Sequence, residues 1–181
     1  MSTTARAKAE SAPFGVPNAK RNFIVQQGLR APATEVCAAQ YSALLFQPRL
    51  VALWLIAAIV LQSPRLFVAL GAVLWWSALA PALNPFDALY NRTLTRSSGT
   101  SLGPAPAPRR FAQFLAGSFS FAIGLSLVLG WSRVAAGLEA FFVGAVGALV
   151  FGGFCLGSYV FHLLSGRADF ARRTLPWASG R

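Results

Sequence analysis

Four stretches of the chain carry no charged residue, and their lengths constrain the fold more than any other feature. Leu50–Pro64 runs for 15 residues, Leu66–Phe86 for 21, Phe111–Ser132 for 22 and Ala140–Gly166 for 27. At a rise of about 1.5 Å per residue, roughly 20 apolar residues cross a hydrocarbon core about 30 Å thick. The last three stretches meet that length directly. The first is lengthened by Tyr41-Ser-Ala-Leu-Leu-Phe46, with Pro48 as a kink and Arg49 reaching toward the headgroups. Core helices of a soluble domain are a poor explanation for four such segments in 181 residues. The expected fold is all-α and integral to a membrane, with transmembrane helices at about 42–62, 65–83, 111–131 and 135–164.

Gln62-Ser-Pro-Arg65 and Trp131-Ser-Arg-Val134 are tight turns, and a longer polar stretch separates them. The four helices therefore form two hairpins. Charge sets their expected orientation. Six Lys or Arg precede the first span, at positions 6, 8, 20, 21, 30 and 49. Four lie in the middle loop (Arg92, Arg96, Arg109, Arg110) and four in the C-terminal tail (Arg167, Arg172, Arg173, Arg181). The short turns hold only Arg65 and Arg133. This bias of 14 against 2 places the loop and both termini in the cytoplasm. It also accounts for a net charge of +11 in a chain with only 12% charged residues, where a soluble domain has about 25%. An apolar content of 55% excludes a disordered chain. Long charge-free runs argue against a nucleic-acid partner.

Residues 1–40 read as a polar N-terminal tail without the apolar run of a signal peptide, and residues 1–17 as disordered. Asn18–Leu29 and Thr34–Phe46 fit interfacial helices, the second with Cys37, Tyr41, Leu44 and Leu45 on one face. The membrane domain spans 41–166, and a basic tail follows over 167–181. Within the middle loop, Asn84 is a helix N-cap, Pro85 the first helical residue and Asp87 a first-turn acid. An interfacial helix over 85–96 follows, with Phe86, Leu89, Tyr90 and Leu94 on its apolar face. Pro104-Ala-Pro-Ala-Pro108 is a stiff spacer.

Candidate chemistry is sparse. One His and two Cys give no metal set, and no catalytic motif is recognisable. Neither catalytic residues nor a cofactor are predicted. Cys155, Ser158, His162 and Ser165 have spacings of three, four and three, which share one face of a helix and form a candidate polar and thiol face. Gln113 lies at a similar depth, so a meeting of Gln113 and His162 near the inner surface is expected. Glu139, the only acid within a span, is expected to pair with Arg133 at the outer interface. Trp131, Arg49, Arg110 and Arg167 are expected interfacial anchors. Gly144, Gly147 and the Gly153-x-x-x-Gly157 motif are expected to pack helices closely. Bound lipid is expected, and the aromatic-rich spans are compatible with a pigment.

Three segments carry a family resemblance. They are Asn84-Pro-Phe-Asp-Ala-Leu-Tyr-Asn-Arg92, Pro108-Arg-Arg-Phe-Ala-Gln113 and Gly153-Phe-Cys-Leu-Gly-Ser158. In this order they resemble a small four-helix bacterial membrane family, domain of unknown function 4395, over about residues 40–166. The resemblance implies a C-x-x-C pair in the fourth helix, able to cycle between dithiol and disulfide. Here the second position is Ser158, so Cys155 cannot close that local bond.

The functional expectation is a non-enzymatic accessory or structural subunit of a larger inner-membrane complex, photosynthetic or respiratory. It would meet lipids and other membrane subunits through Gly- and aromatic-rich helices. The alternative is a thiol- or sulfur-handling membrane protein working through Cys155 with a cytoplasmic redox partner. A small transporter ranks third, because ionisable groups within the spans are so few.

Overall fold

The computed structural model describes residues 18–30 and 33–178. The expected disorder of residues 1–17 lies outside that range. The described residues are all-α. The elements are α1 (Asn18–Gln26), α2 (Thr34–Leu44), α3 (Phe46–Val60), α4 (Pro64–Leu79), a 3-10 turn (Pro81–Leu83), α5 (Pro85–Thr93), α6 (Thr95–Ser98), α7 (Ala107–Val128), α8 (Ser132–Gly152), α9 (Leu156–Leu164) and α10 (Ala168–Arg173). Three segments are long and apolar enough to cross a membrane: Val36–Val60, Ala107–Val128 and Ser132–Gly152. Helix α4 is apolar but shorter, at 16 residues.

Local chemistry explains most boundaries. The ring of Pro48 opposes the carbonyl of Leu44 four residues back, and α2 gives way to α3 there, at Leu45. The α3–α4 turn places Gln62 at φ +42, and Ser63 caps α4 by accepting from the Leu66 N–H at 3.4 Å. Asn84 caps α5 as its sequence implies, accepting from the Phe86 N–H at 3.0 Å ahead of Pro85. The helix expected over 85–96 is interrupted at Leu94, where α5 ends and α6 begins. The loop beyond is tied back by Asn91, whose amide donates to the Leu102 carbonyl and accepts from the Leu102 N–H, both at 2.8 Å.

The fourth span departs from expectation. The segment expected as one helix over 135–164 breaks after Gly152. Gly153 adopts the left-handed region at φ +62, and Cys155 is extended as the residue preceding α9. A left-handed residue cannot continue a right-handed helix, and glycine occupies that region without strain. Gly153 and Gly157 therefore fall on either side of a break rather than along one packing stripe.

The tightest helix contact is α4 against α7. Gly71 and Gly117 face one another across it: a Cβ at Gly71 would lie 3.1 Å from the Gly117 carbonyl oxygen, and one at Gly117 would lie 3.0 Å from that of Gly71. Gly124 sits against Val68 in the same seam, and Gly157 of α9 sits against Ala112 of α7. Two apolar clusters form around these contacts. One contains Val51, Leu55, Phe67, Leu70, Phe86, Ile123 and Phe142, among the long helices. The other gathers Phe23, Ile24, Cys37, Leu44, Leu45, Tyr90, Leu102 and Cys155 at one end.

Candidate functional site

A layer of buried polar side chains lies between the two apolar clusters, and three helices each contribute to it in the same way. On α3, Gln47 falls between Leu45 of the end cluster and Val51 of the central one. On α5, Asp87 falls between Phe86 and Tyr90, which belong to different clusters. On α7, Gln113 falls between Ala112 and Ala116, which pack against different clusters. Arg109 completes the layer one helical turn before Gln113. All four side chains are buried.

The bonding is specific. The Arg109 guanidinium donates from Nη2 to Asp87 Oδ1 at 2.6 Å and to Gln47 Oε1 at 2.9 Å. Gln113 Nε2 donates to the same Gln47 oxygen at 2.9 Å. Asp87 Oδ2 accepts from Asn84 Nδ2 at 2.9 Å, and Asn84 Oδ1 accepts from Ser77 Oγ at 3.2 Å as well as from the α5 backbone. The layer thus ties α3, α4, α5 and α7 together. Arg109–Asp87 is the ion pair found among the described residues. Removed from water, such a pair is retained only where further hydrogen bonds satisfy both ions, as Asn84 and Gln47 do here. The adjacent Arg110 behaves differently: it is exposed, and its Nε donates at 2.8 Å to the Ala78 carbonyl in the last turn of α4, a favourable place for a cation.

The predicted thiol and polar face is assembled otherwise than its spacing suggested. Ser158 and His162 share a face of α9 and are buried, but Cys155 precedes the helix and Ser165 lies past its end, exposed. Their principal partner is α1. Gln26, the last residue of α1, holds both ends of α9: its Oε1 accepts from the Cys155 N–H at 3.2 Å, and its carbonyl bonds His162 Nε2 at 3.0 Å. A carbonyl can only accept, so Nε2 donates this bond, and Nδ1 is buried without a partner among the described residues. Ser158 Oγ donates to the Pro108 carbonyl at 3.4 Å. Gln113 bonds Gln47 rather than meeting His162. Both thiols, Cys37 and Cys155, are free, buried and members of the same apolar cluster.

The remaining predicted residues are readily placed. Arg49, Arg110, Trp131 and Arg167 are exposed. Glu139 forms no ion pair with Arg133. It accepts from Gln62 Nε2 at 3.3 and 3.4 Å, because the positive φ of Gln62 turns that side chain across the hairpin end toward α8. Among the described residues, nothing lies within 4 Å of where a Cβ would stand at Gly144 or Gly147, so the close packing expected of them is not made here. Among the described residues no group of His, Cys, Asp and Glu could hold a metal.

The ion pair joins two of the three segments that carried the resemblance, Asp87 in the first and Arg109 in the second, while Cys155 lies in the third. Residues 41–165 match a family described as Domain of unknown function (DUF4395). The chain belongs to that family. No curated protein and no solved structure matches it. For this DUF4395 member, the resemblance therefore marks residues that meet in the polar layer and at the α8–α9 break. Reading the sequence alone missed that layer. In the sequence Arg109 reads as one of the loop cations, and Asp87 as a first-turn acid that favours the helix dipole. The available signal was the pairing of one carboxylate just after an Asn-Pro cap with an Arg-Arg dipeptide opening an apolar span.

Proposed function

We propose that this protein is a non-enzymatic accessory or structural subunit of a larger inner-membrane complex, and that α8 is the face it offers to a partner helix. Four spans, with α4 as the short one, and cytoplasmic termini and middle loop complete this reading. The observation that carries it is a contrast among the glycines. At Gly71, Gly117, Gly124 and Gly157, a Cβ would meet atoms of a neighbouring helix at once. At Gly137, Gly144, Gly147 and Gly152, all on α8, it would meet nothing within 4 Å. Gly137, Ala140, Gly144 and Gly147 follow one another at intervals of three and four, so they form one stripe along the helix.

Each glycine in a helix interior costs about 0.8–1.0 kcal/mol relative to alanine. Where a neighbour packs onto it, that loss is offset by close van der Waals contact, which is what drives helix association in lipid. On α8 the loss has no compensation among the described residues. A second membrane helix docked on the stripe would supply it, with Phe141, 50% exposed, alongside as an aromatic contact. Burial of Cys155 and the capture of its N–H by Gln26 support a packing role over a thiol serving a cytoplasmic redox partner.

The test is extraction in a mild detergent or as native nanodiscs, followed by native mass measurement. A species heavier than the 19.2 kDa chain, lost on Gly144→Leu while the helical content is unchanged, is the expected result. A lone chain, stable in native lipid and indifferent to Gly144→Leu, overturns the proposal.

A further inference from the structure

A cleft runs from the polar layer toward the outside of the helix bundle. It consists of two adjoining chambers of about 80 and 90 Å³. Ala112, Ala116, Phe142, Val146, Leu149 and Cys155 line both. The inner chamber reaches Gln47, Arg109 and Gln113. The outer one extends between α7 and α8 to Leu115, Phe119 and Phe141. Each chamber is smaller than the cavity of about 150 Å³ that accepts a benzene ring, and together they are comparable to it. The walls are apolar and aromatic except at the inner end.

At that end one acceptor has no partner. Gln113 is 5% exposed, and its Oε1 makes no hydrogen bond among the described residues. The orientation of its amide is imposed by the ion-pair network. Gln47 Oε1 is already held by Arg109, so Gln113 can approach it only with its NH₂ group; reversing the amide would set oxygen against oxygen. The chain therefore presents a fixed, buried acceptor in a side chain that lines an apolar space of ring size. Gln27 lines the same chamber, so its polar groups are gathered on one part of an otherwise apolar wall.

We propose that this cleft binds a single-ring phenol, such as the headgroup of a lipid-phase quinol, with its hydroxyl donating to Gln113 Oε1 and its ring lying against Phe142. A ring fits the volume and the aromatic wall. A hydroxyl supplies the missing donor. The outer chamber, bordered by the half-exposed Phe141, provides a lateral route from the bilayer.

The experiment uses the full chain in nanodiscs and ¹⁹F NMR titration with 4-fluorophenol and 4-fluorotoluene, with empty nanodiscs subtracting partition into lipid. Saturable binding of 4-fluorophenol is expected, with 4-fluorotoluene about tenfold weaker, because the toluene leaves the buried acceptor unpaired. Gln113→Leu should remove the preference for the hydroxyl, since it deletes the acceptor but leaves Arg109 bonded to Gln47. Ala116→Phe should fill the cleft and abolish saturable binding of both probes, so the proposal stays testable even where Gln113→Leu fails to fold. Displacement by a short-chain ubiquinol marks a lipid-phase source, and displacement by free phenol alone a soluble one. No saturable 4-fluorophenol binding, no preference over 4-fluorotoluene, or a full preference surviving in Gln113→Leu would each overturn the proposal.

Discussion

Replacing Asp87 by asparagine tests the central structural claim, because the two residues differ by one acceptor. Asp87 uses both carboxylate oxygens, Oδ1 for Arg109 and Oδ2 for Asn84. Asparagine has a single oxygen and an NH₂ group. Whichever way it turns, it sets a donor against either the guanidinium or the Asn84 amide. In either orientation the Arg109 charge stays buried without a counter-ion. Removing one member of a buried pair costs about 3–5 kcal/mol, and the environment here is of that kind, both side chains being 8% exposed. Arg109→Met should cost a similar amount by stranding Asp87. In Asp87→Asn/Arg109→Met, no ion is left uncompensated, so the double variant should be less destabilised than the two single losses summed, with a coupling of about 2–3 kcal/mol. The assay is reversible unfolding in mixed micelles titrated with sodium dodecyl sulfate, followed by circular dichroism. Additivity to within about 0.5 kcal/mol would show that the two residues do not act as a pair, and the polar layer would fall with it.

Gly117→Ala should destabilise the same fold by about 1–2 kcal/mol: overpacking against a Trp75 ring already held by Phe114, Phe121 and Ser118 outweighs the helix-propensity gain. Gly144→Ala should stabilise the isolated chain by up to about 1 kcal/mol, and a comparable loss would place a neighbour where none is found. Gly153→Ala should cost about 1–2 kcal/mol through its left-handed backbone, with Gly153→Asn milder; equal unfolding midpoints for both variants and the parent would refute the break between α8 and α9. Gln26→Ala should leave the Cys155 N–H without its acceptor, cost about 1–3 kcal/mol and speed maleimide labelling of Cys155 in a Cys37→Ala background; an unchanged labelling rate would mean that α1 does not hold α9 in place.

How much was legible depended on the range of the interaction. The α5 cap at Asn84-Pro85 and the turn at Gln62-Ser-Pro follow from neighbours a few residues apart, and such chemistry can be read along a line. The division at Leu94 and the break at Gly153 are not legible in the sequence. The apolar face of Phe86, Leu89, Tyr90 and Leu94 reaches the first position without a stop signal, an apolar run passes through the second, and a glycine in such a run is as often a packing position as a stop. Gln26 bonds residues 129 and 136 positions away, and no local pattern announces such a partner.

By itself the sequence determined an all-α chain rich in membrane-length helices, because the absence of charge over some twenty residues is a one-dimensional property that hydrocarbon enforces whatever the packing. It also contained, in its order, the segments that mark the DUF4395 family. Tertiary structure alone decided which polar residues are internal. Arg109 and Arg110 are identical by type and adjacent in the chain, yet one is buried against Asp87 and the other exposed on the end of α4. The hundred-degree rotation from one helical residue to the next separates them, and what each then meets depends on where α3, α4 and α5 pack around α7. The same holds for the glycines: those of α4, α7 and α9 are filled and those of α8 stand open because only the arrangement of helices determines which faces have neighbours.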